Sequence, residues 1–443
     1  MTTSLEKLSL TVTAYGKARQ FIKRQNNSVL ITKVQDEKLQ KLIAYCYENI
    51  KYYRELFDEH HIRPADIKTA ADLVNVPVLT KSELRKRFWD FLPKELPACR
   101  ISRTSGSTGI PVCILSDINS RLNNSAAVIR YRKNLGINFF GTPIITLQKN
   151  EQQPHEKPHW TFLQGLHKTW YVNPYTNRDA DIDYAIKTLS MLKNPAIIAI
   201  TPAIRALAYR IRDGILPAIK PCAVLTTGEY LSHPVRELLE DTFKVTIADI
   251  YACNEAGDIA WQCREGLYHI NADNCIVEIL KDGQPAGDGE TGEVAITNLN
   301  RYSMPFVRYK NGDLARFAAI DCPCGCKLPA LSEIAGRTGE DIYLPDGQVI
   351  PWNQLKGFMN HPDIRQFQLI QNEDASLTVK FVPEQYSDTE HTKNILASRF
   401  EGLLAGSIKL EFSIAEAIAP APSGKSKLVI CHYRPSNRIS SSL

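Results

Sequence analysis

The sequence predicts an α/β protein with a large N-terminal part and a small C-terminal part. Between residues 116 and 250, short apolar runs alternate with helical patterns, which is typical of βαβ units and a mainly parallel sheet. Residues 276–320 instead contain short β runs separated by turn signals such as Asp282-Gly283. Residues 347–443 return to a mixture of strands and one helix, which predicts a small α/β domain.

Length and charge limit the classes of protein that fit. The chain has 443 residues, so two or three domains are expected. Its 53 basic and 48 acidic residues give a net charge of +5, which does not favour a nucleic-acid binder. No apolar run reaches the length of a transmembrane helix, and charges interrupt the first 25 residues where a signal peptide would lie. The sequence therefore predicts a cytoplasmic protein without a membrane partner, whose 11 cysteines are thiols or metal ligands.

Helical patterns dominate the first hundred residues. Apolar residues recur at helical spacing over residues 35–57 and predict one helix there. A shorter helix is predicted at Ala70–Leu73. Thr80 is expected to cap a helix over Lys81–Phe91, with Glu83 at the third position.

The central region supplies the predicted parallel strands and their helices. Apolar runs of strand length and periodic segments of helix length follow one another. The predicted strands are Pro143–Leu147, Ala196–Ile200, Ala223–Glu229 and Val245–Ile250, and the predicted helices are Ala126–Asn134 and Ala203–Asp213.

Two of these strands run into candidate binding residues. Ligands of open α/β sheets sit beyond the carboxyl ends of strands. Gly228 and Glu229 follow one strand, and Tyr251 and Glu255 follow another. A tyrosine ring offers a flat face to a purine, and a carboxylate offers hard oxygen ligands to magnesium. Taken singly, each residue is better explained as part of an ordinary strand end.

The stretch Thr104-Ser105-Gly106-Ser107-Thr108-Gly109 stands out by composition. Glycines let the backbone approach a ligand closely, and successive N–H groups beside hydroxyls can cradle phosphate oxygens. A Ser/Gly-rich surface loop is the alternative interpretation, and the stretch alone does not choose between the two.

Several stretches together carry a family resemblance. LIAYCYENIKYYRELFDEHHIRPADIKTAADLVNVPVLTKSELRKRF, from Leu42 to Phe88, resembles the opening of the phenylacetate–coenzyme A ligase family. TSGSTGIP, from Thr104, resembles the phosphate loop of the wider adenylate-forming superfamily. YACNE, from Tyr251, and RYKNGD, from Arg308, resemble two further motifs in the family's order. Without the other motifs, Asn311-Gly312-Asp313 is better explained as a β-turn. The chain is similar to the phenylacetate–coenzyme A ligase-like and CapK-like branch.

The resemblance implies roles for particular residues. It implies that residues 104–109 hold the phosphates of ATP, that Glu255 holds magnesium and that Asp313 binds the ribose hydroxyls. Tyr251 and the Gly228-Glu229 turn would contact the adenine. Ala252 and Asn254 depart from the superfamily's Tyr-Gly-x-Thr/Ser-Glu pattern.

The resemblance also implies a mobile C-terminal domain. Gly336-Arg337 resembles the superfamily's hinge, although Gly339 stands where the hinge acid is usual, and Glu340 and Asp341 follow it. Lys425 matches the superfamily's catalytic lysine on a flexible loop, and Lys427 is the weaker candidate. A basic surface loop is the alternative interpretation of this stretch.

The implied organisation is that of the adenylate-forming fold. An AMP-binding domain over residues 1–336 would combine parallel-sheet βαβ layers with a small β-barrel-like part. A lid domain over residues 337–443 would follow it.

Cysteines and a histidine form a second candidate constellation. Cys263 and His269 lie close in sequence, as do Cys322 and Cys324, and such a donor set suits tetrahedral structural zinc. Some members of the resembling family carry a similar set. Cys275 and Cys326 are alternative donors, and buried thiols beside a surface turn are the alternative interpretation.

The predicted function is ATP-dependent activation of a carboxylic acid as an acyl adenylate, with transfer to coenzyme A. A carrier protein or an amine is the alternative acceptor, and a non-catalytic nucleotide-binding protein of the same fold is the alternative class. The implied ligands are ATP, magnesium, coenzyme A and a structural zinc. A carrier protein and a second copy of the chain are left open as partners.

Overall fold

The computed structural model describes residues 4–103, 112–138, 141–147, 169–172, 191–337, 341–346, 348–350, 363–384, 387–404, 406–419 and 428–433, with 355, 359 and 361. The chain divides into two compact units. One comprises Met1–Gly228 with Leu239–Ile334, and the other comprises Glu229–Leu238 with Ala335–Leu443. The assignment of residues 1–336 and 337–443 to an AMP-binding and a lid domain stays a prediction.

The first unit begins with helices α1 (Ser4–Arg24), α2 (Ser28–Asn49) and α3 (Lys51–Glu59). The prediction of one helix over residues 35–57 is wrong, because the chain is extended at Ile50, with φ −113 and ψ 113. Ile50 forms an antiparallel β-bridge with Pro93. Its side chain is fully buried, so it continues the apolar periodicity that the prediction used.

A capped short helix follows. The Thr80 hydroxyl accepts a hydrogen bond from the Glu83 N–H at 3.2 Å and caps α4 (Lys81–Lys86), as predicted. The helix ends before Arg87, and Phe88–Phe91 forms a separate 3₁₀ turn. Further 3₁₀ turns occupy Pro64–Asp66 and Ala70–Asn75.

One half of the large sheet is parallel, as the βαβ pattern predicts. Its strands follow a two-stranded antiparallel hairpin, β1 (Cys99–Arg103) with β2 (Cys113–Asp117). Neighbouring strands pair in the order β4-β3-β5-β6-β7. Their bounds are β3 (Ile144–Leu147), β4 (Thr169–Val172), β5 (Ala196–Ile200), β6 (Ala223–Thr227) and β7 (Ile247–Cys253). The helices in this region are α5 (Ile118–Asn134), α6 (Thr201–Arg212) and α7 (His233–Phe243).

The other half is mostly antiparallel and continues from β7 without a break. The strand order after β7 is β8-β9-β14-β13-β12-β10-β11. The bounds are β8 (Gly257–Gln262), β9 (Tyr268–Ile270), β10 (Cys275–Lys281), β11 (Gln284–Pro285), β12 (Gly292–Asn298), β13 (Tyr309–Phe317) and β14 (Ala330–Arg337). Of the β run that the sequence shows at Pro305–Tyr309, only Tyr309 belongs to a strand, β13.

This antiparallel half curves strongly. Three strands separate β7 from β13, so a flat sheet would place them about 19 Å apart. The Tyr251 hydroxyl on β7 nevertheless donates a hydrogen bond to Asp313 on β13 at 2.8 Å. Apolar side chains of β7, β8, β9, β10, β12, β13 and β14 share one core, which includes Ile259, Val294 and Leu331. The curvature gives this half the barrel-like character implied by the family resemblance.

The second unit contains the predicted small α/β arrangement. A four-stranded sheet has the order β19-β18-β17-β20, beside the hairpin β15–β16. The bounds are β15 (Ile342–Tyr343), β16 (Val349–Ile350), β17 (Ile364–Gln371), β18 (Leu377–Pro383), β19 (Leu410–Ile414), β20 (Val429–Cys431) and α8 (Thr389–Leu404). Leu396 and Phe400 of α8 share the core with Phe381.

No helix in the described part of the chain combines the length and the apolar character that crossing a membrane requires.

A buried ion cluster ties α1 and α5 to the segment before β10. Arg24 of α1 and Arg130 of α5 both form salt bridges with the Asp273 carboxylate. Arg130 also donates to the Asn271 side-chain oxygen at 2.7 Å. The side chains of Arg130 and Asp273 are 0% and 1% exposed. Removing one partner of such a pair destabilises the fold, because it leaves a buried charge uncompensated.

We expect the substitution Asp273→Ala to lower the free energy of unfolding by about 3–5 kcal/mol, because it leaves the fully buried Arg130 guanidinium and the partly buried Arg24 guanidinium without their carboxylate. Denaturant unfolding measures the loss. Lys281→Ala is the control, since Lys281 pairs with Glu290 in an exposed salt bridge, and its unfolding midpoint should match the wild type. A midpoint for Asp273→Ala equal to that of Lys281→Ala would contradict a stabilising role of the cluster.

Candidate functional site

Two predicted binding segments lie at the carboxyl ends of adjacent parallel strands. β6 ends at Thr227, whose partner in β7 is Ile250, and Gly228 and Tyr251 follow these two residues. Gly228 has φ +85, a left-handed conformation that favours glycine. The edge at which these segments meet is where ligands sit in open α/β sheets. β7 extends through Cys253, so Tyr251 lies within the strand rather than in the predicted turn.

Tyr251 and Asp313, 62 residues apart in sequence, are joined by a hydrogen bond. The Tyr251 hydroxyl donates to Asp313 Oδ2 at 2.8 Å. Asn311 donates through Nδ2 to the Tyr251 hydroxyl at 2.7 Å and to Asp313 Oδ2 at 2.6 Å. Burial raises the pKa of Tyr251 well above its usual value, and the charge of Asp313 adds to this effect. The phenol therefore stays protonated and able to donate.

A β-bulge in β13 sets the direction of the Asp313 side chain. In the β12–β13 ladder, Glu293 pairs with Leu314 and Ala295 with Lys310, so one residue of β12 faces three residues of β13. Gly312, the middle residue of the three, has φ +84. Bulges of this kind redirect side chains, often beside functional sites. Asn-Gly-Asp therefore lies in an irregular stretch of strand and not in the simple turn that the sequence alone favoured.

Glu255 lies in the tight turn between β7 and β8. Its side chain accepts a hydrogen bond at Oε1 from the Tyr309 hydroxyl at 2.9 Å. Within the described residues, Oε2 has no hydrogen-bond partner and is not among the fully buried oxygens. The residue as a whole is 7% exposed. The Glu255 carboxylate thus has a fixed orientation, with one oxygen available to a cation.

Buried polar side chains from separate elements hold the backbone of this turn. Asn298 donates to the carbonyl oxygen of Ala256 at 3.1 Å and, at 3.5 Å, to that of Glu255. Arg301 donates to the carbonyl oxygen of Asn254 at 3.0 Å.

Asn124 of α5 holds the far side of the turn. It accepts a hydrogen bond from the Asp258 N–H at 2.9 Å.

Burial lowers the pKa of the Arg301 guanidinium, while the negative charge of Glu255 acts in the opposite direction. An arginine remains charged under such conditions, so a positive charge stands close to the Glu255 turn.

Sequence reasoning missed most of this support. Tyr309 and Asn311 lie within the RYKNGD segment, which was singled out only for Asp313. Asn124, Asn298 and Arg301 belong to no motif, and only their placement in the fold connects them with Glu255.

The four predicted metal donors lie together. The donor atoms of Cys263, His269, Cys322 and Cys324 are all within 4.8 Å of one another. The Cys263 and Cys322 sulfurs are 3.5 Å apart, and His269 Nε2 is 3.2 Å from the Cys324 sulfur. Zinc–sulfur bonds of about 2.3 Å in a tetrahedron require a sulfur–sulfur distance of about 3.8 Å, so the set is nearly the right size.

The surroundings of the four donors also suit a metal. His269 Nδ1 faces the Leu328 carbonyl at 3.4 Å, which leaves Nε2 for a ligand. Burial lowers the pKa of His269, so its imidazole is neutral at neutral pH. Two hairpin-like turns bring the donors together: Cys263 and His269 flank the β8–β9 turn, and Cys322 and Cys324 lie between β13 and β14.

The alternative donors do not belong to the set of four. The Cys275 thiol contacts the carbonyl oxygens of Ile259 and Asn271, at 3.9 and 3.8 Å. The Cys326 thiol contacts the Gln25 carbonyl at 3.9 Å.

Some predicted site residues fall outside the described part of the chain. The phosphate loop Thr104–Gly109, Gly339, Glu340, Lys425 and Lys427 all do. Arg337 ends β14, but its side chain is not described, and Glu229 begins the second unit.

Comparisons with known proteins agree with the family resemblance. The model of the CapK C-terminal domain matches residues 342–432. Phenylacetate-coenzyme A ligase from Thermus thermophilus is 24% identical over 366 residues, covering 78% of this chain and 79% of the relative. Protein CapK from Staphylococcus aureus is 20% identical over 416 residues, covering 92% and 91%. These matches confirm that homologues of the chain are phenylacetate–coenzyme A ligases and CapK, and they indicate a ligase enzyme.

Solved structures confirm the fold. A crystal structure of 2-hydroxyisobutyryl-CoA ligase in the postadenylation state with 2-HIB-AMP superposes with a TM-score of 0.72 at 17% identity, covering 90% of this chain and 89% of that one. ATP-bound MatB from Rhodopseudomonas palustris superposes with a TM-score of 0.51 at 12% identity, covering 74% and 66%. The chain has the α/β fold of these CoA ligases.

The turn before β8 gives a direct test of this geometry. Gly257 has φ +79, and a Cβ there would lie 2.5 Å from Asn124 Oδ1, the atom that holds the turn. We expect Gly257→Ala to lower the free energy of unfolding by about 2–3 kcal/mol, measured by urea unfolding. Gly266, with φ +85 and nothing within 4 Å, is the matched control, for which Gly266→Ala should cost only about 1 kcal/mol of backbone strain. Equal losses would contradict the close approach of Asn124.

Proposed function

We propose that this homologue of the phenylacetate–coenzyme A ligases, which has the fold of the adenylate-forming ligases, activates a carboxylic acid with ATP and transfers the acyl group to coenzyme A. The observation that carries the proposal is the convergence of three motif residues in one unit. Tyr251 and Asp313 share a hydrogen bond, and Glu255 lies four residues beyond Tyr251. The family order of the motifs and the CoA-ligase relatives support the same assignment.

The chemistry comprises two displacements. First, a carboxylate oxygen of the acid bonds to the α-phosphorus of ATP, the bond from that phosphorus to the bridging oxygen breaks, and pyrophosphate leaves. Second, the sulfur of the thiol bonds to the acyl carbon, the bond from that carbon to the phosphate oxygen breaks, and AMP leaves with the thiol proton passing to solvent. The mixed anhydride is needed because a free carboxylate is a poor acyl donor.

Asp313 and Tyr251 are assigned to the nucleoside. A carboxylate can accept hydrogen bonds from two ribose hydroxyls at once. Asn311 and the Tyr251 hydroxyl hold Asp313 Oδ2, which fixes the orientation of the carboxylate before the nucleotide arrives. The same hydrogen bond fixes the Tyr251 ring, whose face we assign to the adenine together with Gly228 and Glu229.

Glu255 is assigned to magnesium. Proteins bind magnesium through one or two carboxylates plus substrate phosphates. Glu255 fits this requirement, since Tyr309 holds Oε1 and Oε2 has no hydrogen-bond partner within the described residues. Magnesium, when bound, would offset charge on the phosphates of ATP.

The remaining roles rest on the sequence resemblance. Phosphate binding is assigned to Thr104, Ser105, Gly106, Ser107, Thr108 and Gly109. Lys425 is assigned to the charge that develops between the acid and the α-phosphate, a stabilisation that is large in a water-excluded site. Arg337 is assigned to the hinge between the two half-reactions.

A second acceptor class has one observation in its favour. The family model over residues 342–432 is that of CapK, and the CapK relative covers 92% of this chain against 78% for the Thermus thermophilus ligase. The match of the predicted lid domain to CapK therefore keeps an acceptor other than coenzyme A, such as an amine or a carrier protein, as the alternative.

The first half-reaction is testable without knowledge of the acceptor. We expect exchange of labelled pyrophosphate into ATP to depend on at least one acid from a panel of aryl, hydroxy and fatty acids. Lys425→Ala and Asp313→Ala should each lower the exchange rate by about 100-fold or more, because each removes an interaction with the nucleotide or the transition state. Lys427→Ala, the neighbouring lysine, is the matched control and should retain exchange.

The outcomes separate an enzyme from a binding protein. Tight ATP binding without exchange for any acid would contradict the proposed ligase and favour a nucleotide-binding protein of the same fold. Hydroxylamine reacts with an acyl adenylate to give a hydroxamate and AMP. If adding it stops pyrophosphate exchange and releases a hydroxamate, the acyl adenylate is the intermediate.

We also propose that Cys263, His269, Cys322 and Cys324 hold one structural zinc ion. Three cysteines and one histidine are a closed tetrahedral donor set, and no open position remains for catalysis. Burial raises the pKa of each of the three thiols, and a bound dication would reverse that effect by stabilising the thiolates. The ion would join the β8–β9 turn to the segment between β13 and β14.

Elemental analysis of protein purified without added metal tests this site. We expect about one zinc per chain in the wild type and almost none in Cys322→Ser, because three donors hold zinc much less tightly than four. Cys275→Ser is the control, since the Cys275 thiol faces the carbonyl oxygens of Ile259 and Asn271 and is not one of the four donors, and it should keep the zinc. Zinc-free wild-type protein, or equal zinc in both variants, would contradict the site.

A further inference from the structure

The Tyr309 hydroxyl makes the one side-chain hydrogen bond of Glu255 within the described residues. The donor–acceptor distance is 2.9 Å, and the acceptor is Oε1. Tyr309 is 1% exposed, so the bond is shielded from water and its geometry is set by the protein. No sequence motif assigned a role to this tyrosine.

We propose that Tyr309 is a positioning residue for nucleotide-bound magnesium, which it serves by orienting the Glu255 carboxylate. This inference rests on the proposed function, in which Glu255 holds that magnesium. A carboxylate that binds a metal is usually itself hydrogen-bonded through its other oxygen, and this outer contact fixes the direction of the metal-binding lone pairs. Tyr309 occupies Oε1 in this way and directs Oε2 to the cation.

Tyr309 has a rigid support that suits this task. The residues on either side of it are paired with Leu79: the Leu79 N–H donates to the Arg308 carbonyl at 3.0 Å, and the Lys310 N–H donates to the Leu79 carbonyl at 2.9 Å. Arg308 is in turn held by Glu278, with Nε at 3.0 Å from Oε1. The Tyr309 ring packs edge-on against Phe306, with centroids 5.3 Å apart. The hydroxyl is therefore a fixed donor.

The backbone of Glu255 is held by other groups. Asn298 contacts the carbonyl oxygens of Glu255 and Ala256, and Arg301 holds that of Asn254. Loss of the Tyr309 hydroxyl would leave the turn in place and free only the rotation of the Glu255 side chain. A purely structural hydrogen bond would affect stability alone, whereas a positioning bond affects the affinity for the metal.

The substitution Tyr309→Phe removes the hydroxyl and keeps the ring. Tyr53→Phe is the matched control, because Tyr53 is also fully buried and its hydroxyl donates to the Pro305 carbonyl at 3.1 Å and accepts from the Val307 N–H at 2.9 Å. Calorimetric titration with ATP, at a series of magnesium concentrations and without magnesium, gives the readout. It requires no knowledge of the acid substrate.

For Tyr309→Phe, we expect the magnesium concentration that half-maximally tightens ATP binding to rise about 10-fold or more. Binding of ATP without magnesium should equal that of the wild type. Tyr53→Phe should keep the wild-type magnesium dependence. In the Glu255→Gln background, Tyr309→Phe should have no further effect on that dependence, because its action passes through the carboxylate.

The outcomes distinguish this inference from the proposed function. If magnesium tightens ATP binding to the wild type and Tyr309→Phe shows the same dependence, the positioning role is wrong and the proposed function stands. An equal change in Tyr53→Phe would also overturn the role, since a general effect of losing a buried hydroxyl would then explain it. If magnesium leaves ATP binding to the wild type unchanged, both the magnesium assignment of Glu255 and the role of Tyr309 fail.

Discussion

The curvature of the antiparallel half of the large sheet is the constraint on which the candidate nucleotide site depends. Tyr251 and Asp313 lie on strands with three others between them, and their side chains meet only because the sheet bends back on itself. The apolar core inside the bend makes that shape favourable, since the facing strands bury their side chains against one another. The candidate ribose and magnesium ligands, Asp313 and Glu255, therefore depend on an apolar core to which neither belongs.

Hydrogen bonds from polar side chains fix the candidate site further. Asn124 belongs to α5, Asn298 and Arg301 lie at and just after the end of β12, and Tyr309 begins β13. Their side chains hold atoms of the turn between β7 and β8 or of the first residues of β8. A buried polar group without a partner is costly in free energy. Hydrogen bonds among buried polar groups therefore favour the one arrangement of the turn in which they form. The two candidate centres are also linked through one strand: the Glu255 turn precedes β8, and Cys263 directly follows it. The six residues of β8 place them about 20 Å apart.

Local patterns predicted the central strands β3, β5, β6 and β7 and the helices α5 and α6, and the wrong predictions have physical causes. The βαβ alternation predicted the parallel strands because buried strands are continuous apolar runs bounded by turns. The break at Ile50 was missed because its fully buried side chain continues the helical period even though its backbone is extended. Asn311–Asp313 favoured a turn by composition, yet pairing with β12 on both sides turned this stretch into a bulge within β13.

The sequence by itself predicted the fold class, singled out Tyr251, Glu255 and Asp313 as candidate ligands, and proposed four candidate metal donors among 11 cysteines and 10 histidines. Such features are readable because they lie in short, ordered motifs of characteristic residue types. Only the tertiary structure decided that Cys275 and Cys326 point to backbone carbonyls and that Tyr309 holds Glu255. Contacts between residues distant in sequence are set by strand order, curvature and packing, and no local pattern encodes those distances.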